Sequence, residues 1–166
     1  DGKPVKRVIV THMHPDHVGL AGWICEKYDA RLVMSRTDWI MGRMLSGNAQ
    51  EVPPEFVFDF HRDMGTPEEH MDILRNQGYG SFARGVYPMP AVYERLKEGD
   101  RISLAGSEWQ IMMGYGHAPE HVCLYSSELG VLIAGDQILP RISPIVGVYP
   151  GEPIANPLQE FLESLE

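Results

Sequence analysis

Cysteine is scarce in this sequence, and long apolar runs are absent from it. Cys25 and Cys123 are the only cysteines among 166 residues, and they form no CxxC motif. Two cysteines do not make a disulfide framework, so we expect buried free thiols in a reducing compartment. No stretch approaches the roughly 20 apolar residues that span a bilayer, and no signal-like apolar region opens the chain. These absences predict a cytoplasmic protein that does not insert into a membrane.

An excess of basic residues is also missing. The 14 Lys and Arg residues are outnumbered by 23 Asp and Glu residues, which gives a formal net charge of −9. Proteins that coat nucleic acids present a basic face, so we expect no nucleic-acid partner. Apolar residues make up 43% of the chain, which is typical of a globular core, and the length corresponds to about one domain.

Two common signatures of catalytic loops are not present. The chain contains no G-x-S-x-G motif, in which a serine nucleophile sits on a sharp turn. The glycines of "GLAGW" at 19–23 lack the spacing of a P-loop or a dinucleotide-binding loop. Serine-nucleophile hydrolysis and nucleotide binding are therefore not indicated.

The first third of the chain alternates strand and helix patterns. The β-branched run "VKRVIV" at 5–10 predicts a buried strand, and "ARLVMS" predicts a second strand. Between them, residues 16–28 place apolar side chains at helical spacing, with Asp16 as the expected N-cap. This order is typical of an α/β fold.

Residues 36–98 predict a helical segment of three or more short helices. The clearest helix has Thr66 as its cap, Pro67 at its first position, Glu69 completing a capping box and Gly78 at its end. A further short helical stretch is expected after "YPMP" at 87–90. Short strands return beyond residue 98, with a hairpin turn at "SELG", and "NPLQEFLESLE" predicts a final amphipathic helix.

The stretch "THMHPDH" concentrates three of the seven histidines within six positions, at His12, His14 and His17, together with Asp16. Alternate residues of an extended chain point the same way, so His12 and His14 share a face. They are open to interpretation as two polar residues at a strand end. The added Asp and His favour a metal site, because imidazole and carboxylate are the ligands of zinc and similar divalent ions.

Further ligands are expected from two later strand ends. "GYGHAPEH" supplies His117 in a glycine-rich loop, and "LIAGDQ" supplies Asp136. A buried carboxylate needs a partner, which a metal would provide. The alternative is that Asp136 caps the next turn.

With these residues in hand, the chain resembles the metallo-β-lactamase superfamily. The matching motifs are HxHxDH at 12–17, GHxxxH at 116–121 and the GD at 135–136 after an apolar strand. The resemblance implies an αββα sandwich of mixed β-sheets flanked by helices. It covers residues 1–166 as a partial domain, because the family's opening strands and its last metal-ligand histidine have no counterpart here. We therefore expect the sequence to be truncated at both ends.

The resemblance also implies a binuclear centre. One metal would take His12, His14 and His117, and the other would take Asp16 and His17, with Asp136 bridging both. Asp16 would also orient the nucleophile or handle its proton. His121 would hold its loop by a hydrogen bond rather than bind metal. Zn²⁺ is the preferred pair of ions, with Fe or Mn as alternatives, and the second site is expected to be incomplete in this chain.

The implied reaction is hydrolysis, in which a metal-bound hydroxide attacks a small ester, thioester or lactone. The continuation "GDQILPRISPIVGVYP" resembles a glyoxalase II-like branch related to the lactamase-like β2 group. The alternatives are phosphodiester or RNA hydrolysis and iron-dependent redox chemistry on the same scaffold. The acidic charge favours a small-molecule substrate over RNA. The oligomeric state stays open, and a homodimer would follow if exposed sheet edges pair.

The helical segment at 36–98 is interpreted as a wall of the active-site cleft. Phe82, Arg84 and Tyr87 would then contact the substrate. The alternative is that these aromatics pack the helices and that Arg84 is an ordinary surface residue. His61 and His70 are expected to face solvent.

Overall fold

The computed structural model describes residue 2 and residues 4–166 of the chain. Asp1 and Lys3, which belong to the predicted domain, lie outside the described residues. The strands and helices follow in the order β1 (Arg7–Ile9), α1 (Pro15–Val18), α2 (Ala21–Tyr28), β2 (Arg31–Met34), α3 (Arg36–Ser46), α4 (Glu55–Asp63), α5 (Glu68–Gln77), α6 (Ser81–Gly85), β3 (Glu94–Arg95), β4 (Arg101–Leu104), β5 (Ser107–Gly114), β6 (His121–Ser126), β7 (Val131–Ile133) and α7 (Pro157–Glu163).

The first sheet is parallel, in the order β1-β2-β3, and it divides two apolar cores. Side chains alternate across a strand, so β1 and β2 each contribute to both cores. Leu32 and Met34 pack with Val18, Ala21 and Cys25 beneath the helices. Val33, from the same strand, faces the second sheet and packs in the other core with Trp109, Ile111, Val122 and Leu124. The strands predicted from "VKRVIV" and "ARLVMS" are confirmed as β1 and β2.

The second sheet is antiparallel, in the order β4-β5-β6-β7. Its strands are those expected beyond residue 98, and "SELG" forms the turn between β6 and β7. The two sheets face each other through the second core, and α1 and α2 supply side chains to the first core on the outer face of the parallel sheet. The mixed α/β architecture expected from the sequence is confirmed.

The predicted first helix is divided and starts differently from the expectation. His14 occupies the N-cap position, Pro15 opens α1, and Asp16 lies in the first turn, so the prediction that Asp16 caps the helix was wrong. Proline at the first helical position loses no hydrogen bond, and it forces the preceding residue to be extended. The helical conformation is interrupted between α1 and α2. Tyr28, at the end of the apolar stripe, is 47% exposed.

The helix expected at 66–78 begins later than predicted. Pro67 is its N-cap residue, α5 begins at Glu68, and no side chain caps it, so the predicted capping box is absent from α5. Thr66 instead places its hydroxyl 3.2 Å from Nδ1 of His61. The hydroxyl therefore ties α5 to the end of α4 rather than capping α5.

The helical segment ends at residue 85 rather than 98. The stretch after "YPMP" is extended, and Glu94–Arg95 forms β3 beside β2. The backbone N–H of Leu96 donates to the carbonyl of Met34 at 2.9 Å. This strand pairing is a long-range contact, and it overrides the local helical pattern. Among helices in the described part of the chain, none has the length and apolarity needed to cross a membrane.

Candidate metal centre

The predicted ligands lie where strands of the two sheets end. The HxHxDH loop (residues 11–17) follows β1, the GHxxxH loop (116–121) follows β5, and the GD turn (135–136) follows β7. The backbone N–H of Val122 donates to the carbonyl of Thr11 at 2.7 Å and joins β6 to the end of β1. Strand ends from both sheets therefore deliver polar side chains to one place.

His12, His14 and His117 form the first group. One ring nitrogen from each lies within 4.8 Å of the others. Nε2 of His117 is 3.1 Å from Nδ1 of His14 and 3.3 Å from Nε2 of His12. Nδ1 of His117 donates to the carbonyl of Ile145 at 2.8 Å, which leaves the Nε2 lone pair directed at the other two rings. The rings of His12, His14 and His117 converge, although the one lone pair on Nε2 of His117 cannot accept a good hydrogen bond from both other rings.

His17 and Asp136 form the second group, which shares His12 with the first. Oδ2 of Asp136 lies 3.3 Å from Nε2 of His17, 3.6 Å from Nε2 of His117 and 4.0 Å from Nε2 of His12. Asp136 therefore approaches His12 and His117 of the first group as well as His17, as a bridging residue would. Asp16 approaches through His17, with Oδ2 at 3.5 Å from Nε2, and its side chain is 76% exposed.

Burial favours the neutral form of His12 and His14. Loss of water lowers the pKa of His12 to about 2, with the neighbouring histidines adding to the effect. Burial also lowers the pKa of His14, and His117 is the next contributor. Oγ1 of Thr11, at 3.0 Å from Nδ1 of His12, helps to orient that ring. Neutral imidazoles with free lone pairs are the form that coordinates a metal, so the donor set fits a divalent cation.

His121 is fully buried, and both of its ring nitrogens contact other protein groups. The backbone N–H of Asp136 donates to its Nε2 at 3.1 Å, and its Nδ1 lies 3.6 Å from Sγ of Cys123. Nε2 of His121 thus already accepts a hydrogen bond from the GD turn, and the structural role of His121 stays a prediction. Gly135 is required beside it, because its φ is 51° and an added Cβ would lie 2.6 Å from Cε1 of His121.

The three predicted substrate contacts lie in other surroundings. Phe82 packs against the first core. The hydroxyl of Tyr87 donates to Glu26 at 2.6 Å, and the guanidinium of Arg84 points to the carbonyl of Gln77 at 3.5 Å. None of these contacts reaches the histidines among the described residues, so a role in substrate binding stays a prediction.

Some site residues were not anticipated from sequence. Asp38, in the first turn of α3, accepts hydrogen bonds from the HxHxDH loop and from the GHxxxH loop. An acid at the start of a helix is common, so nothing local in "SRTDWI" sets Asp38 apart. The carbonyl of Ile145 carries no sequence signal either. The two cysteines are free and buried, as expected.

These features define a mixed α/β sandwich with a cluster of histidines and aspartates at its strand ends. The sequence profile of the Metallo-beta-lactamase superfamily matches residues 1–165, and the chain belongs to this superfamily. Its members are generally metal-dependent hydrolases.

The proteins similar to this chain include two solved structures and one curated protein. A beta-lactamase domain protein from Burkholderia ambifaria is 42% identical, with a TM-score of 0.85 over 99% of this chain and 46% of that one. A metallo-beta-lactamase family protein from Thermus thermophilus is 32% identical, with a TM-score of 0.75 over 97% and 50% of the two chains.

The ribonuclease TTHA0252 of Thermus thermophilus is 30% identical across 100% of this chain and 38% of its own length. The chain thus spans half or less of the length of these three proteins.

Proposed function

We propose that this chain carries the metal-binding part of a binuclear hydrolase. The observation that carries the proposal is the convergence of the His12, His14 and His117 ring nitrogens, with Asp136 between them and His17. A cluster of imidazoles facing one another is costly unless a shared cation accepts their lone pairs.

Each residue has a distinct part in this proposal. His12, His14 and His117 would hold one divalent ion, and His17 with Asp16 would hold the second, with Asp136 shared. The ions would supply a water-derived nucleophile at neutral pH and polarise a carbonyl or phosphoryl oxygen of the substrate. Asp16 is the most exposed of these carboxylates and is therefore suited to exchange a proton with solvent. Zn²⁺ is the proposed ion, with Fe and Mn as alternatives to be tested.

The proposed substrate is a small ester, thioester or lactone. The formal charge of −9 supports a small acyl compound over a polyanion, because a polyanion would be repelled at long range. The exposure of Asp16 indicates that the cluster opens to solvent on the side of α1.

A second candidate is phosphodiester hydrolysis. It is supported by the similarity to the ribonuclease TTHA0252 over the whole of this chain. The same pair of ions would stabilise the attacking and leaving oxygens of a phosphodiester. Cleavage of RNA would require a basic surface, and the excess of acidic residues in this chain disfavours one.

The test is elemental analysis of the purified chain together with a substrate panel. We expect at least one divalent ion per chain, held by His12, His14 and His117, because the second site is expected to be incomplete in this chain. The His14→Ala variant should contain less metal. The panel contains a thioester, a lactone, a simple ester, a phosphodiester and an RNA oligonucleotide, each assayed with the wild-type chain and with His14→Ala.

Each outcome has a different meaning. Turnover of the acyl substrates that disappears in His14→Ala supports the proposal. Turnover of only the phosphodiester or RNA favours the second candidate. Iron as the sole tightly bound metal, with no hydrolysis, points instead to redox chemistry. Metal content at background level in the wild-type chain contradicts the proposed function.

A further inference from the structure

Asp38 is a buried carboxylate that the binding chemistry proposed above does not use. It lies in the first turn of α3 and has no exposed surface. Burial raises the pKa of its carboxyl to about 6, while hydrogen bonds from the backbone of Glu120 and Met13 act in the opposite direction. Keeping a carboxylate in such a place is costly, and its partners are what offset that cost.

Those partners belong to the two loops that carry the first group of histidines. The backbone N–H of Met13, which lies between His12 and His14, donates to Oδ1 at 2.8 Å. The backbone N–H of Glu120, three residues beyond His117, donates to Oδ2 at 2.7 Å. One side chain therefore holds both loops, one through each carboxylate oxygen.

Neighbouring contacts strengthen this attachment from the α3 side. The carboxylate of Glu120 accepts a hydrogen bond from the backbone N–H of Thr37 at 2.8 Å. The GHxxxH loop and α3 therefore each donate a backbone N–H to a carboxylate of the other. Met13 is buried, and α3 approaches it closely at Gly42, where an added Cβ would lie 3.5 Å from Cβ of Met13. The HxHxDH loop is thus also packed against α3.

We propose that Asp38 is a positioning residue for the metal centre: its two oxygens fix the separation between the loop of His12 and His14 and the loop of His117. This inference rests on the proposed metal-binding function. The ring nitrogens must be held apart at a distance that a single ion can span, and in a protein without disulfides the loops need another fixed point. The backbone amides of Met13 and Glu120 supply that point through Asp38.

The experiment measures metal affinity in Asp38→Asn, with Asp63→Asn as the matched control. Asp63 is an exposed carboxylate on α4, so the same chemical change is made away from the loops. In Asp38→Asn the amide NH₂ replaces one acceptor and faces a backbone N–H. Zinc affinity is measured by competition with a chromophoric chelator, and the visible absorption spectrum of the Co²⁺-substituted chain reports the ligand geometry.

We expect Asp38→Asn to weaken zinc binding by about 10–100-fold, the range typical of residues that orient ligands, and to change the Co²⁺ spectrum. Asp63→Asn should match the wild-type chain in both. If Asp38→Asn is folded, retains wild-type affinity and leaves the spectrum unchanged, the inference about Asp38 is wrong and the metal-binding proposal stands. If the wild-type chain binds no metal, the proposed function itself fails, and the inference fails with it.

A second measurement decides the matter if Asp38→Asn does not fold. Amide hydrogen exchange of Met13 and Glu120 is followed in the zinc-free wild-type chain. Protection of both amides before metal is added would support the inference, because the loops would already be fixed. Exchange at the rate of exposed loop amides would overturn it.

Discussion

The metal centre and the helices α4 and α5 are held together in opposite ways. In α4, Arg62 pairs with Glu55 and Asp59, and in α5, Arg75 pairs with Glu68 and Asp72. Each of these four pairs joins residues of the same helix and is exposed to solvent. At the centre, by contrast, His14 contacts a residue 103 positions away.

This difference shows what kind of stability each region has. Exposed pairs within a helix contribute little, so α4 and α5 depend on a few buried side chains, Val57, Phe58 and Met71. The centre depends on a network in which each buried polar group has partners from distant segments. Changes at the centre should therefore have larger effects than equivalent changes in α4 or α5.

The largest difference is expected between two histidine substitutions. His117→Ala removes a buried ring from the first group, and His70→Ala removes an exposed ring from α5. Loss of a direct ligand should exceed the about 100-fold loss of affinity that changes around a ligand cause. We expect His117→Ala to lose the first metal, measured by elemental analysis after dialysis, while His70→Ala retains it. Equal metal content in the two variants would contradict the assignment of His117.

The second comparison uses two glycines with positive φ. Gly135 has a φ of 51° and faces His121, whereas Gly65, with a φ of 73°, has open space around its Cβ position. Backbone strain alone should cost about 1–2 kcal/mol in Gly65→Ala. Gly135→Ala adds a clash with a buried ring, so we expect about 2–4 kcal/mol in chemical unfolding, together with weaker metal binding. Equal losses of unfolding free energy in the two variants would show that the close approach of Gly135 to His121 does not affect stability.

A third prediction concerns pH. The pKa of Asp38 is raised by burial from 3.8 to about 6 in the folded chain. The folded state therefore binds this proton more tightly than the unfolded state does, which stabilises the fold at low pH. The contribution is lost as the pH rises through about 6.

We expect the free energy of unfolding of the zinc-free chain to fall by about 2–3 kcal/mol relative to Asp38→Asn between about pH 4 and 6, at 1.36 kcal/mol for each pKa unit. The measurement is chemical unfolding of both proteins across this range. Parallel pH profiles for the two proteins would show that the Asp38 carboxyl has an ordinary pKa.

The smallest effect is expected from breaking the charge pairs of α5. Arg75→Ala removes both of its pairs, which are exposed to solvent. The thermal midpoint should change by less than about 2 °C, because such pairs contribute little, and metal content should not change. A large drop would mean that α5 supports the centre through contacts of Arg75, such as the one it makes over the ring of Phe58.

The helices and strands were largely predictable because their signals are local. The runs that became β1 and β2 are β-branched or apolar, and Gly47 and Gly78 mark the ends of α3 and α5. The extent of the helical segment was predicted wrongly because a distant segment decided the conformation, whereas the two capping errors arose at neighbouring prolines. Glu94–Arg95 became a strand because the edge of β2 was available to pair with it.

The candidate site was predictable in its residues but not in its supports. His12, His14, His17, His117 and Asp136 all meet in the structure, since each follows a recognisable motif. Asp16 is the exception, since it lies outside the two closest groups and touches them through His17. Asp38 and the carbonyl of Ile145 escaped notice because a single acid or a backbone oxygen has no pattern of its own.

The sequence by itself determined the superfamily, the α/β class and the identity of the ligand candidates, because spacing and residue chemistry are properties of short segments. Only the tertiary structure decided how those segments face each other. Packing of the two sheets and of α3 sets the spacing between His14 and His117. It also places Asp136 beside three histidines and attaches both loops to Asp38. Distances between residues a hundred positions apart are set by packing of the core, which no local pattern encodes.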